Sequence, residues 1–236
     1  MFGAGTLINA AAIVPGGLLG LLCGNHLQTI LICACGLSVL LIGADGVFEK
    51  MLAVNGSALS SSGAMMLIVS LCLGGLAGEL VGIAQATDRL GEWLKRKSGS
   101  SRDPNFVIGF VNASFTVSVG AMAVLGPIQD VLYGDLTTLL IKSVLDGVLV
   151  FAMAASYGKG CIFSVLPMVA IQGFFSLFAW LIEPVLTQAA LHNISLVGSV
   201  LIFGIGVNLV FGPKIRVANF LPAWIFAAGW GLLSPM

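Results

Sequence analysis

AQATDRLGEWLKRKSGSSRDP, residues 84–104, is the one sustained polar interruption in an apolar chain of 236 residues, and it holds five of the ten Lys and Arg residues. Those five are Arg89, Lys95, Arg96, Lys97 and Arg102. Loops rich in Lys and Arg stay on the cytoplasmic side of a bilayer, so this stretch sets the orientation of everything around it. It also separates two halves that look like copies of one another. Within it, Thr87–Lys97 reads as a short amphipathic helix: Leu90, Trp93 and Leu94 share a face, Thr87 is placed to cap it, and the charges lie opposite. Such a helix lies in the membrane interface with Trp93 as its anchor. The alternative is an ordinary solvated loop.

The rest of the chain makes a soluble domain untenable. It is 58% hydrophobic and 8% charged, with a mean hydropathy of +1.07, where a soluble domain carries about 25% charge. Zero net charge, with half the bases in one linker, leaves no nucleic-acid footprint. Cys23, Cys33, Cys35, Cys72 and Cys161 lie in or beside apolar segments. They lack the spacing of disulfide frameworks or zinc sites and read as small packing residues. The opening MFGAGTLINAAAIVPGG has no basic n-region, so it is read as a first span that stays rather than a signal peptide. The expected fold is an all-α polytopic membrane protein.

Apolar runs of spanning length fall at about Thr6–Cys23, Leu27–Val47, Gly63–Ile83, Asn105–Leu125, Leu136–Ala155, Ile162–Ile182 and Ile194–Phe211, with a shorter eighth from Val217 to Leu233. With residues 84–104 in the cytoplasm, the cytoplasmic loops lie near Gly24–His26, Ala84–Pro104, Tyr157–Gly160 and Pro213–Arg216. They hold eight of the ten bases, Lys159, Lys214 and Arg216 included. Lys50 alone falls on the other side, and Lys142 falls inside a span. This asymmetry suits about eight transmembrane helices with both termini outside the cytoplasm.

The halves repeat weakly. Ile8-Asn9-Ala10 with Val14 and Gly17 recurs as Val111-Asn112-Ala113 with Val117 and Gly120, Asp45-Gly46-Val47 as Asp146-Gly147-Val148, and Glu79 as Glu183. Three spans per copy is an odd number, so the second copy is inverted, the plan of many secondary transporters with a solute site between the copies. The expected organisation is a first transmembrane repeat over 1–83, a cytoplasmic linker over 84–104, a second, inverted repeat over 105–184, and two additional C-terminal helices over 185–236.

Several side chains stand out for chemistry. Lys142 and Asp146 share a helical face within the fifth span. Either they pair only with each other, or Lys142 meets an anionic solute while Asp146 takes a proton or cation. Asp45 and Glu79 lie near span ends and read as solvated boundary residues. Span four carries Asn112, Ser114, Thr116 and Ser118 toward Gly120, then Gly126-Pro127. Gly-Pro either breaks this helix in the membrane, exposing backbone polar groups as ion or solute ligands, or ends it at the outer surface. Pro15-Gly16-Gly17 is its symmetric counterpart in span one. Asn9, Gln172 and Asn208 are lone intramembrane amides, which more often bond a neighbouring helix than a ligand. Gly16, Gly20 and Gly24, and Gly74, Gly78 and Gly82, form smooth strips that serve packing within the chain, a subunit interface or a sliding surface. His26 and His192 fall on opposite sides, and no HExxH, Walker A or GxSxG motif occurs, so neither metal, cofactor nor enzymatic activity is expected.

Val119–Leu132 (VGAMAVLGPIQDVL), followed by Gly134, Asp135 and Leu136 and by LLIKSVLDGV over 139–148, resembles the YqgA/YdfK-like family, bacterial membrane proteins classed as a domain of unknown function. The opening GTLINAAAIVPGGLLG and the late IQGFF fit the same pattern, so the resemblance covers the whole chain. It implies a bacterial cytoplasmic (inner) membrane and marks Gly120, Met122, Gly126, Gln129, Asp130, Lys142, Asp146 and Gln172 as motif positions. The leading expectation is a secondary transporter of a small solute or ion. Its site would lie between spans one, four and five, lined by Asn112, Ser118, Gly120, Lys142, Asp146 and Gln172, with Asn208 contributed by span seven. A homodimer along a glycine face fits a chain of this size. The alternatives are a non-transporting scaffold or partner subunit, or an ion channel.

Overall fold

The computed structural model describes residues 3–22, 28–55, 58–119, 121–185, 187–212 and 214–233. The expectations placed on Cys23, Gly24, His26, Gly120 and Pro213 lie outside these residues. The chain opens with α1 (Ala4–Leu22) and α2 (Gln28–Met51), then a short antiparallel hairpin of β1 (Leu52–Asn55) and β2 (Ala58–Ser61). Next come α3 (Ala64–Val81), α4 (Ile83–Lys97), α5 (Phe106–Ser118), α6 (Ala121–Tyr133) and α7 (Thr137–Tyr157). A 3-10 segment (Lys159–Ser164) leads into α8 (Val165–Leu177) and α9 (Ala179–Ile182). After α10 (Gln188–Phe211), a 3-10 turn (Val217–Phe220) leads into α11 (Ala223–Leu233).

Among the described residues five helical stretches are long and apolar enough to cross a membrane: α1, α3, α7, Lys159–Leu177 and α10. The pair α5–α6, bent by 54° across its break, raises this to six. That is fewer than the eight spans expected, although α2, at 24 residues, is as long as α10. Element ends moved for local reasons. Gly82 adopts a left-handed conformation (φ 73°) and its N–H bonds back to the carbonyls of Gly78 and Glu79, the usual way a glycine closes a helix. The amphipathic α4 therefore starts at Ile83, four residues early. Thr87 lies inside it, donating to the Ile83 carbonyl at 2.9 Å rather than capping the helix. Leu94 packs with Phe106 and Phe110 of α5, leaving Leu90 and Trp93 about half exposed beside it. At the other end of the chain Thr187 accepts the Ala190 N–H at 3.1 Å, and this N-cap starts α10 six residues before the expected run.

Glycine decides which helices are neighbours. A Cβ on Gly16 would stand 2.5 Å from the Gly147 carbonyl oxygen, and one on Gly20 would strike the Phe151 carbonyl. Contacts rise together along both chains, from Gly5 against Leu139 to Gly20 against Ala155, so α1 and α7 run parallel. α2 and α10 meet in the opposite sense, Gly36 against Val210, Gly43 against Phe203 and Gly46 against Ser199. Gly74 and Gly78 of α3 lie on Ala223 and Asn219. Both expected glycine strips are thus covered inside one chain. They are packing faces, and the expected dimer cannot be built on Gly16–Gly20 or Gly74–Gly78.

Two sequence expectations about breaks are corrected. α1 runs unbroken through Pro15. Gly126-Pro127 lies inside α6, where Gly126 packs on Leu139 and Thr138 of α7. The break in this region falls earlier, where α5 ends at Ser118 and Val119 is extended (φ −91°, ψ 137°). Residues 114–119 (SFTVSV) are serine, threonine, β-branched or aromatic residues throughout, all mediocre helix formers.

Candidate buried ion pair at a broken helix

The last carbonyls of a helix have no partner within it. At the end of α5 the Val119 N–H takes the Phe115 carbonyl, and the Val117 carbonyl is left to a side chain from another helix. Lys142 of α7 donates to it at 2.7 Å. The same ammonium lies 2.9 Å from Asp146 Oδ1 and 2.8 Å from Oδ2, one helical turn further along α7. Asn9 of α1 donates through Nδ2 to Asp146 Oδ2 at 3.0 Å. One bonded chain therefore ties α5, α7 and α1, and both charges are nearly out of contact with solvent, 5% exposed for Lys142 and 3% for Asp146. The cation sits at the negative end of the α5 dipole, where it is favoured. A second buried charge follows the same rule: Asp130 of α6 accepts the Gly5 N–H at 3.0 Å, in the first turn of α1, the positive end of that helix.

Around this chain, polar atoms are buried without hydrogen-bond partners among the described residues. They are Thr6 Oγ1 and Asn9 Oδ1 on α1, Ser114 Oγ and Ser118 Oγ on α5, and Ser176 Oγ with both amide atoms of Gln172 on α8. Gln172 is 1% exposed, and α8 packs against α1, α5 and α6. Buried polar groups are nearly always bonded, and these lie on helices that touch one another, α8 meeting both α1 and α5.

The residues expected to line one site occupy two. Lys142 and Asp146 form the ion pair, Ser118 adjoins the Val117 acceptor, and Gln172 lies on α8. Asn112 and Asn208 instead line a cavity of about 190 Å³ between α4, α5, α10 and the 3-10 turn after α10. Asn112 lies six residues before Ser118 on the same helix, about 9 Å along the axis at the α-helical rise. The Asn208 amide is already engaged: it donates to the Ile215 carbonyl at 2.6 Å and accepts the N–H groups of Lys214 and Ile215 at 2.9 and 2.8 Å. These three bonds anchor the loop after α10. Asp88 and Arg216 also line this cavity. Glu79 holds Arg216 at 3.3 Å and bonds Asn219, in keeping with a boundary residue. Lys159, Lys214 and Arg216 gather here with the five linker bases, so eight of ten bases sit at one end of the molecule.

Sequence reasoning treated Asn9 as a lone polar residue and had Asp130 as a polar position following Gly126-Pro127 and as a family motif position. Asn9 belongs to a buried stripe with Gly5, Ile13, Gly17 and Gly20. An amide on a glycine-lined stripe at helical spacing is the signal that was available.

Residues 4–231 match the family described as proteins of unknown function, DUF554. The chain belongs to this family. Within it, the chain is 27% identical over 223 residues to the uncharacterized membrane protein YdfK of Bacillus subtilis (strain 168), covering 93% of this chain and 91% of that one. It is 25% identical over 231 residues to the uncharacterized protein YqgA of Escherichia coli (strain K12), covering 94% of each. No solved structure matches the chain. The resemblance carried by VGAMAVLGPIQDVL and LLIKSVLDGV is therefore a true family relationship over nearly the whole chain. The motif positions Asp130, Lys142, Asp146 and Gln172 of this DUF554 member converge on the α1, α5–α8 side of the molecule.

Proposed function

We propose that this membrane protein is a small, non-enzymatic secondary transporter of the bacterial cytoplasmic membrane, with its solute or ion site between α1, α5, α7 and α8. One observation carries the reading: a helix broken at Ser118 turns one of its last carbonyls, that of Val117, to the buried Lys142–Asp146 pair. Broken helices with charged partners are how many transporters build their sites. The unbonded Gln172, Ser118 and Asn9 oxygen extend the same polar region. The lining in this reading is Ser118, Lys142, Asp146 and Gln172, with Asn112 on the path from the base-rich end.

The reading includes eight spans in two inverted three-helix repeats followed by two further helices, with both termini outside. The helix directions support it. Parallel α1 and α7 require an odd number of crossings between them, which α2, α3 and a single broken α5–α6 span supply. Antiparallel α2 and α10 fit the same count. The base-rich end would then face the cytoplasm. A homodimer within this reading uses a face other than the glycine strips.

A scaffold or partner subunit is the second reading, favoured by the complete bonding of the ion pair itself. Purified protein sealed in lipid vesicles separates the two. A transporter gives saturable flux of at least one solute, abolished in Lys142→Gln. Absence of flux across a broad panel of ions and metabolites, from protein that melts cooperatively, leaves the scaffold.

A further inference from the structure

We propose that the Lys142–Asp146 site takes one small monovalent anion together with one proton, and that the Asp146 carboxylate stands in for that anion while the site is empty. The inference rests on the site placed above and names its solute class. An ammonium has three N–H donors, and Lys142 Nζ has three oxygens within 2.9 Å: the Val117 carbonyl and both Asp146 carboxylate oxygens. The ammonium donates to the Val117 carbonyl and to Asp146 Oδ1, and while Asp146 is ionised its carboxylate occupies the side of the ammonium that an incoming anion would take. The pair also sums to zero charge in a place nearly sealed from water. A lone anion or a lone cation added there leaves an uncompensated buried charge, which membrane interiors strongly disfavour.

A proton passing from water to an Asp146 oxygen resolves both constraints. It neutralises the carboxylate, breaks the ion pair and opens the face of the ammonium that the carboxylate held, which the incoming anion takes. Ammonium, neutral carboxyl and anion again sum to zero, so the site crosses the membrane uncharged whether empty or filled. The surroundings hold the groups this exchange needs. Asn9 Oδ1 is buried and unbonded, ready to accept the new carboxyl O–H once the amide turns over. Ser118 Oγ, next to the Val117 acceptor, is a second unbonded donor. The elements packed on α7 bring few competing groups. α1 and α5 carry no titratable side chain, and neither does α8, which packs on both of them. α6 brings Asp130, held by the Gly5 N–H, and Tyr133. On α2, Cys33, Asp45 and Glu49 are exposed, Lys50 bonds Glu49, and Cys35 is buried. The 3-10 segment after α7 adds exposed Lys159 and buried Cys161.

The test uses the full chain purified in detergent, with melting temperature followed against formate, lactate and nitrate, all ionised between about pH 5.5 and 8. Binding of one anion with one proton makes the apparent affinity for at least one of them rise about tenfold for each unit fall in pH. Asp146→Asn, a permanently neutral side chain, binds the same anion with no pH dependence. Lys142→Gln loses it at every pH, and Asp130→Asn keeps the wild-type slope. Should the Asp146 or Lys142 variant not fold, the wild-type slope decides. Anion binding that is flat with pH overturns the proposal, as does failure of all three anions at every pH. Vesicle flux keeps this inference apart from the reading beneath it. Saturable flux of a cation or neutral solute alone sustains a transporter and sinks the anion–proton site. A tenfold-per-unit binding slope in a protein that moves nothing sustains the site and sinks transport.

Discussion

The α1–α7 and α2–α10 seams are built the same way and serve different ends. In each, glycine lets one backbone settle on another: Gly16 on the Gly147 carbonyl in the first, Gly206 within 2.5 Å of the Leu40 N–H nitrogen in the second, measured from the place a Cβ would occupy. The α2–α10 seam achieves this with glycine, leucine, valine, phenylalanine and one serine. The α1–α7 seam adds a buried amide, ammonium and carboxylate. Close packing therefore needs no charge in this protein. Lys142 and Asp146 are where they are because α5 stops short beside them and leaves a carbonyl to be met.

The sharpest way to break this contrast is to remove the cation. Lys142→Met leaves Asp146 and the Val117 carbonyl buried without their partner, and should destabilise the folded protein by about 3–5 kcal/mol. The double variant Lys142→Met/Asp146→Leu should recover much of that loss in detergent unfolding, because two apolar groups replace a pair rather than half of one. A double variant no more stable than the single would mean that the pair contributes through something other than mutual compensation.

Smaller losses separate the seams from each other. Gly43→Ala and Gly16→Ala should each cost about 1–3 kcal/mol by overpacking, read as similar drops in melting temperature. Only Gly16→Ala should also change ligand-induced stabilisation, since it displaces Asn9 relative to Asp146. Equal effects on ligand response would erase the distinction. Asn9→Leu should cost about 1 kcal/mol, since bonds between membrane helices average about 0.6 kcal/mol and this acceptor is charged. The smallest change is expected at Gln172→Leu. Neither amide atom is bonded within the described residues, and replacing an unsatisfied buried polar group with an apolar one of similar size is close to neutral or slightly stabilising. A clear loss of stability there would show that Gln172 has a structural partner, and the open polar cluster would shrink to α1 and α5.

Part of the site was legible because helical periodicity is local. Lys142 and Asp146, four residues apart in an apolar run, had to share a face, and they do pair. The amphipathic helix was visible for the same reason, although its start was misplaced because a left-handed glycine, not Thr87, ends the preceding helix. The break was misread toward Gly126-Pro127. A proline in the early turns of α6 forfeits one hydrogen bond, and packing of Gly126 onto α7 holds that helix together. Asn112 and Asn208 were grouped with the charges on polarity alone, which says nothing about which side of a helix faces which neighbour.

Hydropathy and charge add up residue by residue, so the sequence alone determined a helical membrane protein and gathered its bases at one end. Partnership between helices is not additive along the chain. Asn9 and Asp146 are 137 residues apart, and they meet because glycines on α1 let it lie directly on α7. Whether a buried charge is balanced depends on what the neighbouring helix leaves unbonded, and only the tertiary arrangement supplies that: Val117 to Lys142, Gly5 to Asp130 and nothing yet to Gln172.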